Sequence, residues 1–282
     1  MTLFNNVEPQ VQGSWYHFLQ LAACVIVIYD YLLTFDLEVE RFWKANRGTQ
    51  RFPAILFYLN RYITLLGILP VMLFTVWPEP VLNSCKCKAL QTYLWIFYSL
   101  VLMIVNLLFI LRLYAIYGGS KRIAIFLSVV STCVGANNAY HGYCTIMEQL
   151  AIDIDLQLSI IEKVGCIQGD TGQQGLHMVY TWVGVVVFDI CVFSLTLWKT
   201  MKLRSKYFSG IASMIMRDGA MYFGVIALLN TVNILSFALG SYFTKSMFSA
   251  LSTVIASVMI LHLMLNLRDH EPPNISIHCT AV

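Results

Sequence analysis

Long apolar stretches alternate with short polar segments along the whole chain. Seven of these stretches reach the roughly 20 residues that a helix needs to cross the hydrocarbon layer of a bilayer. They lie near residues 15–35, 53–77, 90–117, 122–140, 177–198, 219–239 and 246–267. The pattern predicts an all-α membrane protein, with an N-terminal segment at 1–14, a bundle of seven transmembrane helices within 15–267, and a tail at 268–282.

Basic residues collect on one side of this stack of spans. If the N-terminus is outside, thirteen Lys and Arg residues fall in inner segments and four in outer segments. Inner loops of membrane proteins carry the excess of positive charge. We therefore expect the N-terminus outside and the C-terminus inside, in the plasma membrane or a membrane of the secretory pathway.

The composition agrees with a membrane protein and narrows the function. The chain is 58% hydrophobic and 12% charged, which is about half the charge of an average soluble domain. No basic run suits nucleic acid, so the lipid bilayer is the expected partner. We find no phosphate-binding glycine loop, no G-x-S-x-G and no metal-ligand spacing of histidines. We therefore expect no enzyme, cofactor or metal, and an intramembrane hydrolase is only a distant alternative.

The segment after the first span, from Asp36 to Gly48, is charged but contains Phe42 and Trp43. Asp36 suits a helix N-cap, and Gly48 suits a helix end. The pattern predicts a short helix on the membrane surface, with an ion pair between Glu40 and a lysine four residues later. An ordinary solvated connector is the alternative.

The loop between spans four and five, about residues 140–174, is the only long outer loop. Apolar and polar residues alternate strictly from Ile152 to Ile160, which is the period of a half-buried strand. We predict a short β element over the outer mouth of the bundle; a bent amphipathic helix is the alternative.

Four cysteines lie in the predicted outer segments, where disulfides are expected. They are Cys85, Cys87, Cys144 and Cys166. Because Cys85 and Cys87 are too close in sequence to pair comfortably, two pairings remain, and each ties the top of span three to the long loop. The link would either hold that loop over the mouth or simply stabilise it.

Charges inside spans are costly and usually have a purpose. Asp30 in span one and Arg61 in span two lie at equal depth, about 9 Å from the inner ends of their spans. We predict that they form an ion pair, with Arg112 of span three as the rival partner. The pair would serve either as a lock that opens or as a static contact between helices.

A second polar group is predicted at the bilayer midplane. Asp189 lies near the middle of span five, and no Lys or Arg lies at its depth. It should therefore be protonated or hydrogen-bonded. Asn106, Asn230 and Asn233 lie at comparable depth. The cluster is a candidate site for a cation or a polar ligand, or it joins helices, as polar side chains in lipid tend to do.

Five separated motifs occur in order along the chain. They are Tyr29-Asp30-x-Leu-Leu-Thr34 with Glu38-x-Glu40 and Trp43, Asn60-Arg61-Tyr62, Arg112-x-Tyr114-Ala-x-Tyr117-Gly118, Arg217-Asp218-Gly219-x-x-Tyr222-Phe223, and Asn230-x-x-Asn233. The set resembles a large family of mushroom-forming fungi (basidiomycetes), built on an N-terminal domain of unknown function followed by further spans. The resemblance implies a fungal, seven-span integral membrane protein, and it implies no catalytic residues.

Span number and the basic inner loops favour a receptor-like sensor. Such a sensor would couple an outer or lipid-side ligand to a cytosolic signalling protein at loops 36–52 and 199–217. The alternative is a small-solute or proton-linked transporter that uses the cluster around Asp189.

Overall fold

The structure is a computed structural model that describes residues 9–43, 51–76, 84–151, 172–207, 211–241 and 244–268. Seven α-helices occur within these ranges. They are α1 (Pro9–Glu38), α2 (Arg51–Val76), α3 (Ser84–Ile116), α4 (Lys121–Leu150), α5 (Gly172–Tyr207), α6 (Ile211–Leu239) and α7 (Ser249–Arg268). Each is long and apolar enough to cross a membrane. The predicted all-α architecture is therefore confirmed.

The helices form a bundle in which α3 and α7 contact the largest number of other helices. Each helix packs against the next along the chain, and α7 packs against α1 and α2. α3 contacts α7 and α5 in addition to its neighbours in sequence. In the most apolar part of each helix, 61% of residues are buried in α3 and α7, but only 11% in α4. Thus α3 and α7 contribute the largest buried fractions to the core, and most of the surface of α4 faces outward.

Polar side chains point into the bundle, while large apolar side chains cover its outside. Glu38, Asn60 and Asn233 have no exposed surface, whereas Leu32 and Trp198 are more than 60% exposed. This distribution is suited to lipid, because lipid solvates apolar side chains and offers polar ones no hydrogen bond. The functional candidates therefore lie in the interior of the bundle.

The two ends of the bundle are named here by the predicted orientation, which stays a prediction. The outer end is the one at which α1, α3, α5 and α7 begin, and the inner end is the one at which they finish. At the inner end, α3 turns into α4 through Gly118 and Gly119, both with positive φ (64° and 78°). Glycine adopts this conformation without strain, so the connection is short.

Two predicted boundaries are wrong. α1 does not stop before Asp36: it continues to Glu38 and then as a π-helix from Val39 to Trp43. Asp36 is exposed and caps nothing, because the buried face of α1 continues through Thr34 to Glu38 at four-residue spacing. α4 also extends to Leu150, so the first part of the predicted outer loop is helical. The predicted β element at 152–160 and the lysine expected to pair with Glu40 lie outside the described residues.

Candidate functional site

A buried ion pair joins α1 and α2 in the inner half of the bundle. Arg61 Nε lies 2.7 Å from Glu38 Oε2, and the two side chains are 2% and 0% exposed. The prediction that Arg61 pairs with Asp30 is therefore wrong. Because the first helix was expected to end before Asp36, Glu38 was assigned to a surface segment and was not considered as an intramembrane charge.

Further contacts hold both members of this pair in place. Arg61 donates to Thr34 Oγ1 (2.7 Å) and to the backbone oxygen of Tyr31 (3.0 Å). Glu38 Oε1 accepts from Tyr62 Oη (3.1 Å) and Trp43 Nε1 (3.3 Å). Charges in a low-dielectric interior are tolerated only when their remaining donors and acceptors are satisfied in this way. The pair is therefore a well-supported contact between the first two helices.

Asp30 has a different partner, His262 of α7. Asp30 Oδ1 lies 2.6 Å from His262 Nε2. Neither Arg61 nor Arg112 contacts Asp30 within the described part of the chain, so both predicted partners are wrong. His262 lies six residues before the end of α7, about 9 Å along a helix, which is the depth predicted for Asp30. The same count of depth, applied to histidine, would have found this contact.

The π-helix after α1 brings aromatic and basic side chains onto the inner end of the bundle. Phe42 stacks on Phe57 of α2, with ring centroids 3.9 Å apart. Arg41 donates to the backbone oxygen of Leu265 at 2.8 Å. That oxygen belongs to the last turn of α7, whose carbonyls lack helical partners. The segment therefore ties α1, α2 and α7 together at one end.

Arg112 is buried near the inner end of α3 without a counter-charge among the described residues. The side chain is 4% exposed, and its guanidinium carbon lies 5.2 Å from the ring centroid of Phe223 on α6. Its Nε and Nη1 atoms have no hydrogen-bond partner within the described ranges. An unpaired buried cation is costly and is held here by an aromatic face. Phe223 also contacts Phe109 of α3, with ring centroids 4.8 Å apart, so aromatic contacts join α3 to α6 here.

The inner end of α3 also contacts α5. Tyr117 Oη donates to the backbone oxygen of Leu195 at 2.9 Å, and Lys199 Nζ lies 5.1 Å from the Tyr117 ring centroid. Burial raises the pKa of the Tyr117 phenol. The phenol therefore stays protonated and keeps its donor at neutral pH.

The predicted midplane cluster forms only in part. Asn230 of α6 donates to Asp189 Oδ2 of α5 at 2.6 Å, as expected for a buried carboxyl without a cation. Asn233, one turn along α6, accepts instead from Ser249 of α7 at 3.4 Å. No hydrogen bond among the described residues joins Asn106 to either pair. These contacts link α5 to α6 and α6 to α7, so their evident role is to hold helices together.

A small cavity of about 30 Å³ lies in the outer half of the bundle, between α3, α4, α5, α6 and α7. Its walls include Trp95 and Trp182, and no charged side chain lines it. Two polar atoms at the cavity, Asn138 Oδ1 and Thr181 Oγ1, have no hydrogen-bond partner within the described residues. Ser249 also lines the cavity and connects it to Asn233. A cavity of this size has room for one or two water molecules, which could hydrogen-bond to these atoms.

The cysteines give a mixed result. Cys144 is a free thiol on α4, so a pairing through Cys144 is not formed in this structure. Cys87 is buried, at 1% exposure. Cys85 and Cys166 belong to the parts whose side chains are not described. The predicted link from span three to the long loop therefore stays a prediction.

The fold and these sites define a class: a multi-pass integral membrane protein with seven spanning helices and a polar interior. Residues 18–66 of the chain match a family model described as a family of unknown function, DUF6533. The matched segment contains both members of the Arg61–Glu38 pair. No curated protein and no solved structure matches the chain. The match confirms the expected N-terminal domain of unknown function and adds no activity.

Proposed function

We propose that the protein is a receptor-like sensor whose ligand occupies the outer cavity. The observation that carries this proposal is the meeting of five helices around unpaired Asn138 and Thr181 atoms. A ligand there touches α3, α5 and α6 at once, so its binding changes how these helices pack. Because the described lining is aromatic and uncharged, the expected ligand is a small neutral molecule with a hydrogen-bonding group. At about 30 Å³ the cavity must widen to admit such a molecule, and this widening is the change in helix packing that the proposal requires.

The response would reach the inner end through α3. Leu102 lines the cavity, and Arg112 lies ten residues further along the same helix, about 15 Å away. Among the described residues, Arg112 meets α6 at the Phe223 ring and near Tyr222, and it forms no salt bridge there. A contact without a salt bridge is inexpensive to rearrange, so α3 and α6 are the pair expected to shift. The neighbouring inner segments at 36–52 and 199–217, which include helix ends, would then present a changed surface to a cytosolic signalling protein.

The binding step is tested with Thr181→Val, which removes the hydroxyl and keeps the shape. The matched control is Thr132→Val on α4, where an exposed hydroxyl bonds only its own helix at Ser128. A panel of small neutral alcohols, amides and indoles is screened for thermal stabilisation of the purified protein. Compounds that stabilise wild type and Thr132→Val but not Thr181→Val support the proposal. Equal stabilisation of all three proteins, or of none, contradicts it.

The signalling step is tested by proximity labelling from the C-terminus in the native cell. A compound found in the first screen should change the set of labelled cytosolic proteins for wild type but not for Thr181→Val. An unchanged set in both would remove the sensor proposal. Orientation is tested in the same cells, where a tag after Val282 should be cleaved by protease only after the membrane is permeabilised.

The second candidate is a small-solute or proton-linked transporter, favoured by the buried carboxyl of Asp189 at 2.6 Å from Asn230. Proton or solute flux in liposomes that is lost in Asp189→Asn would establish it. Membership of the seven-span family of mushroom-forming fungi, and residence in the plasma membrane or secretory pathway, are part of either proposal and rest on the sequence motifs.

A further inference from the structure

Two histidines face each other in the outer parts of α4 and α5, about one helical turn from the cavity but not among its lining residues. His141 Nδ1 lies 2.9 Å from His177 Nδ1. On the other side of the second ring, His177 Nε2 lies 3.5 Å from Glu148 Oε1. The three side chains thus form a row from α4 to α5 and back to α4. None of them takes part in the proposed sensor mechanism.

The hydrogen positions in this row follow from Glu148. A carboxylate accepts hydrogen bonds only, so it favours the tautomer of His177 with the proton on Nε2. The Nδ1 atom of that ring then carries a lone pair directed at His141 Nδ1. Only one positive centre fits between the two nitrogens, either a proton or a metal ion. Histidines that bind metals usually donate their other N–H to a carboxylate or carbonyl, and the Glu148 carboxylate, 3.5 Å from Nε2, is placed to take that role for His177.

The His141 ring is held in place before any ligand arrives. It stacks on Tyr180 of α5, with centroids 5.3 Å apart and planes at 23°, and meets Tyr140 edge-on at 5.1 Å. The His141 ring therefore has packing partners on two sides before an ion binds. A ligand ordered in this way reduces the cost of ordering the site.

We propose that His141 and His177 bind a divalent transition-metal ion through their Nδ1 atoms, with Glu148 orienting His177. Imidazole ligands suit zinc and copper ions. Zinc–nitrogen bonds of about 2.0–2.1 Å at a tetrahedral angle place the two nitrogens about 3.3 Å apart. The ring centroids are 5.1 Å apart, so the two nitrogens lie almost on the line between the rings. Binding one ion therefore needs the nitrogens to separate by about 0.4 Å and both rings to rotate, so that their lone pairs converge on the ion.

Two protein ligands make an open site. No set of three His, Cys, Asp or Glu side chains in the described ranges is arranged to hold a metal, so water fills the remaining positions. His177 and Glu148 are 26% and 32% exposed, which gives an ion access from the surface. The ligands lie on the two helices that flank residues 152–171. Metal binding therefore fixes the distance between the outer parts of α4 and α5, the two helices that residues 152–171 connect.

The test uses Cu²⁺ and Zn²⁺ with the full chain in detergent. The Cu²⁺ electron paramagnetic resonance spectrum of wild type should show splitting from two nitrogen nuclei. Zn²⁺ should raise the thermal unfolding temperature, with reversal by EDTA, in wild type and in the controls Cys144→Ser and His17→Gln. The shift should be lost in His141→Gln and His177→Gln, and Glu148→Gln should weaken the apparent affinity about 10–100-fold.

Two results would overturn the metal site. One is a copper spectrum of wild type without nitrogen splitting, which stands whether or not the histidine variants fold. The other is a Zn²⁺ shift that persists in both histidine variants, since the ion would then bind elsewhere. Both readouts are independent of ligand binding at Thr181, so the metal site and the sensor proposal fail separately.

Discussion

Replacing Glu38 with Gln tests the buried ion pair between Glu38 and Arg61. The substitution keeps the size of the side chain and removes its charge. Its oxygen still accepts from Tyr62 and Trp43, but its NH₂ group then faces the Arg61 guanidinium, donor against donor. Removing one partner of a buried ion pair leaves an uncompensated charge and costs about 3–5 kcal/mol.

The free energy of unfolding is measured by SDS titration in mixed micelles, followed by circular dichroism. Glu40→Gln is the matched control, because Glu40 is exposed only two residues away in the π-helix. That change should stay within about 0.5 kcal/mol of wild type. Combining Glu38→Gln with Arg61→Gln should cost less than the sum of the single changes, because the second change removes the charge that the first leaves unpaired.

If Glu38→Gln lowered the free energy of unfolding by less than about 0.5 kcal/mol, the buried ion pair would be refuted, because substitutions at exposed sites have effects of that size. A second contrary result would be the recovery of stability when Asp30 and Arg61 are exchanged. In the structure Asp30 contacts His262 and not Arg61, so exchanging Asp30 and Arg61 should fail to restore folding.

Two further outcomes are expected in the same assay. Gly142→Ala should reduce the free energy of unfolding by about 1–3 kcal/mol, because its new Cβ overlaps the Trp95 indole. Gly135→Ala, whose Cβ has nothing within 4 Å, should be neutral or stabilising. Equal effects of the two changes would contradict the close packing of α3 on α4. His262→Leu should lose about 1–3 kcal/mol because it leaves the Asp30 carboxyl without this partner, and a variant as stable as wild type would show that the contact is not formed.

The arrangement of seven helices could be predicted because each span carries its own signal of length and apolar content. That signal does not depend on tertiary contacts, since a helix satisfies its backbone hydrogen bonds internally. Partners inside the bundle depend on the rotation of each helix and on where each helix ends. A single boundary error, the stop assigned before Asp36, removed Glu38 from the candidates and left Arg61 matched to the wrong acid.

The polar candidates show the same limit. Depth along a span correctly brought Asp189 and Asn230 together, because both are near the middle of adjacent helices. Depth alone also grouped Asn106 with them, although that residue makes no hydrogen bond to either within the described structure. Residue spacing along one helix does not indicate the His141–His177 contact, because this pair forms between two helices.

The π turn at Val39–Trp43 bears on which length changes this protein can tolerate. A π turn closes its hydrogen bonds over five residues instead of four, so it accommodates one residue more than an α-helix between the same fixed points. Losing a single residue from this turn would let it close as α-helix with Phe42 still facing Phe57, whereas losing one residue from the α-helical part of α1 would turn Phe42 by about 100°. Length changes should therefore be better tolerated within Val39–Trp43 than in the helix that precedes it.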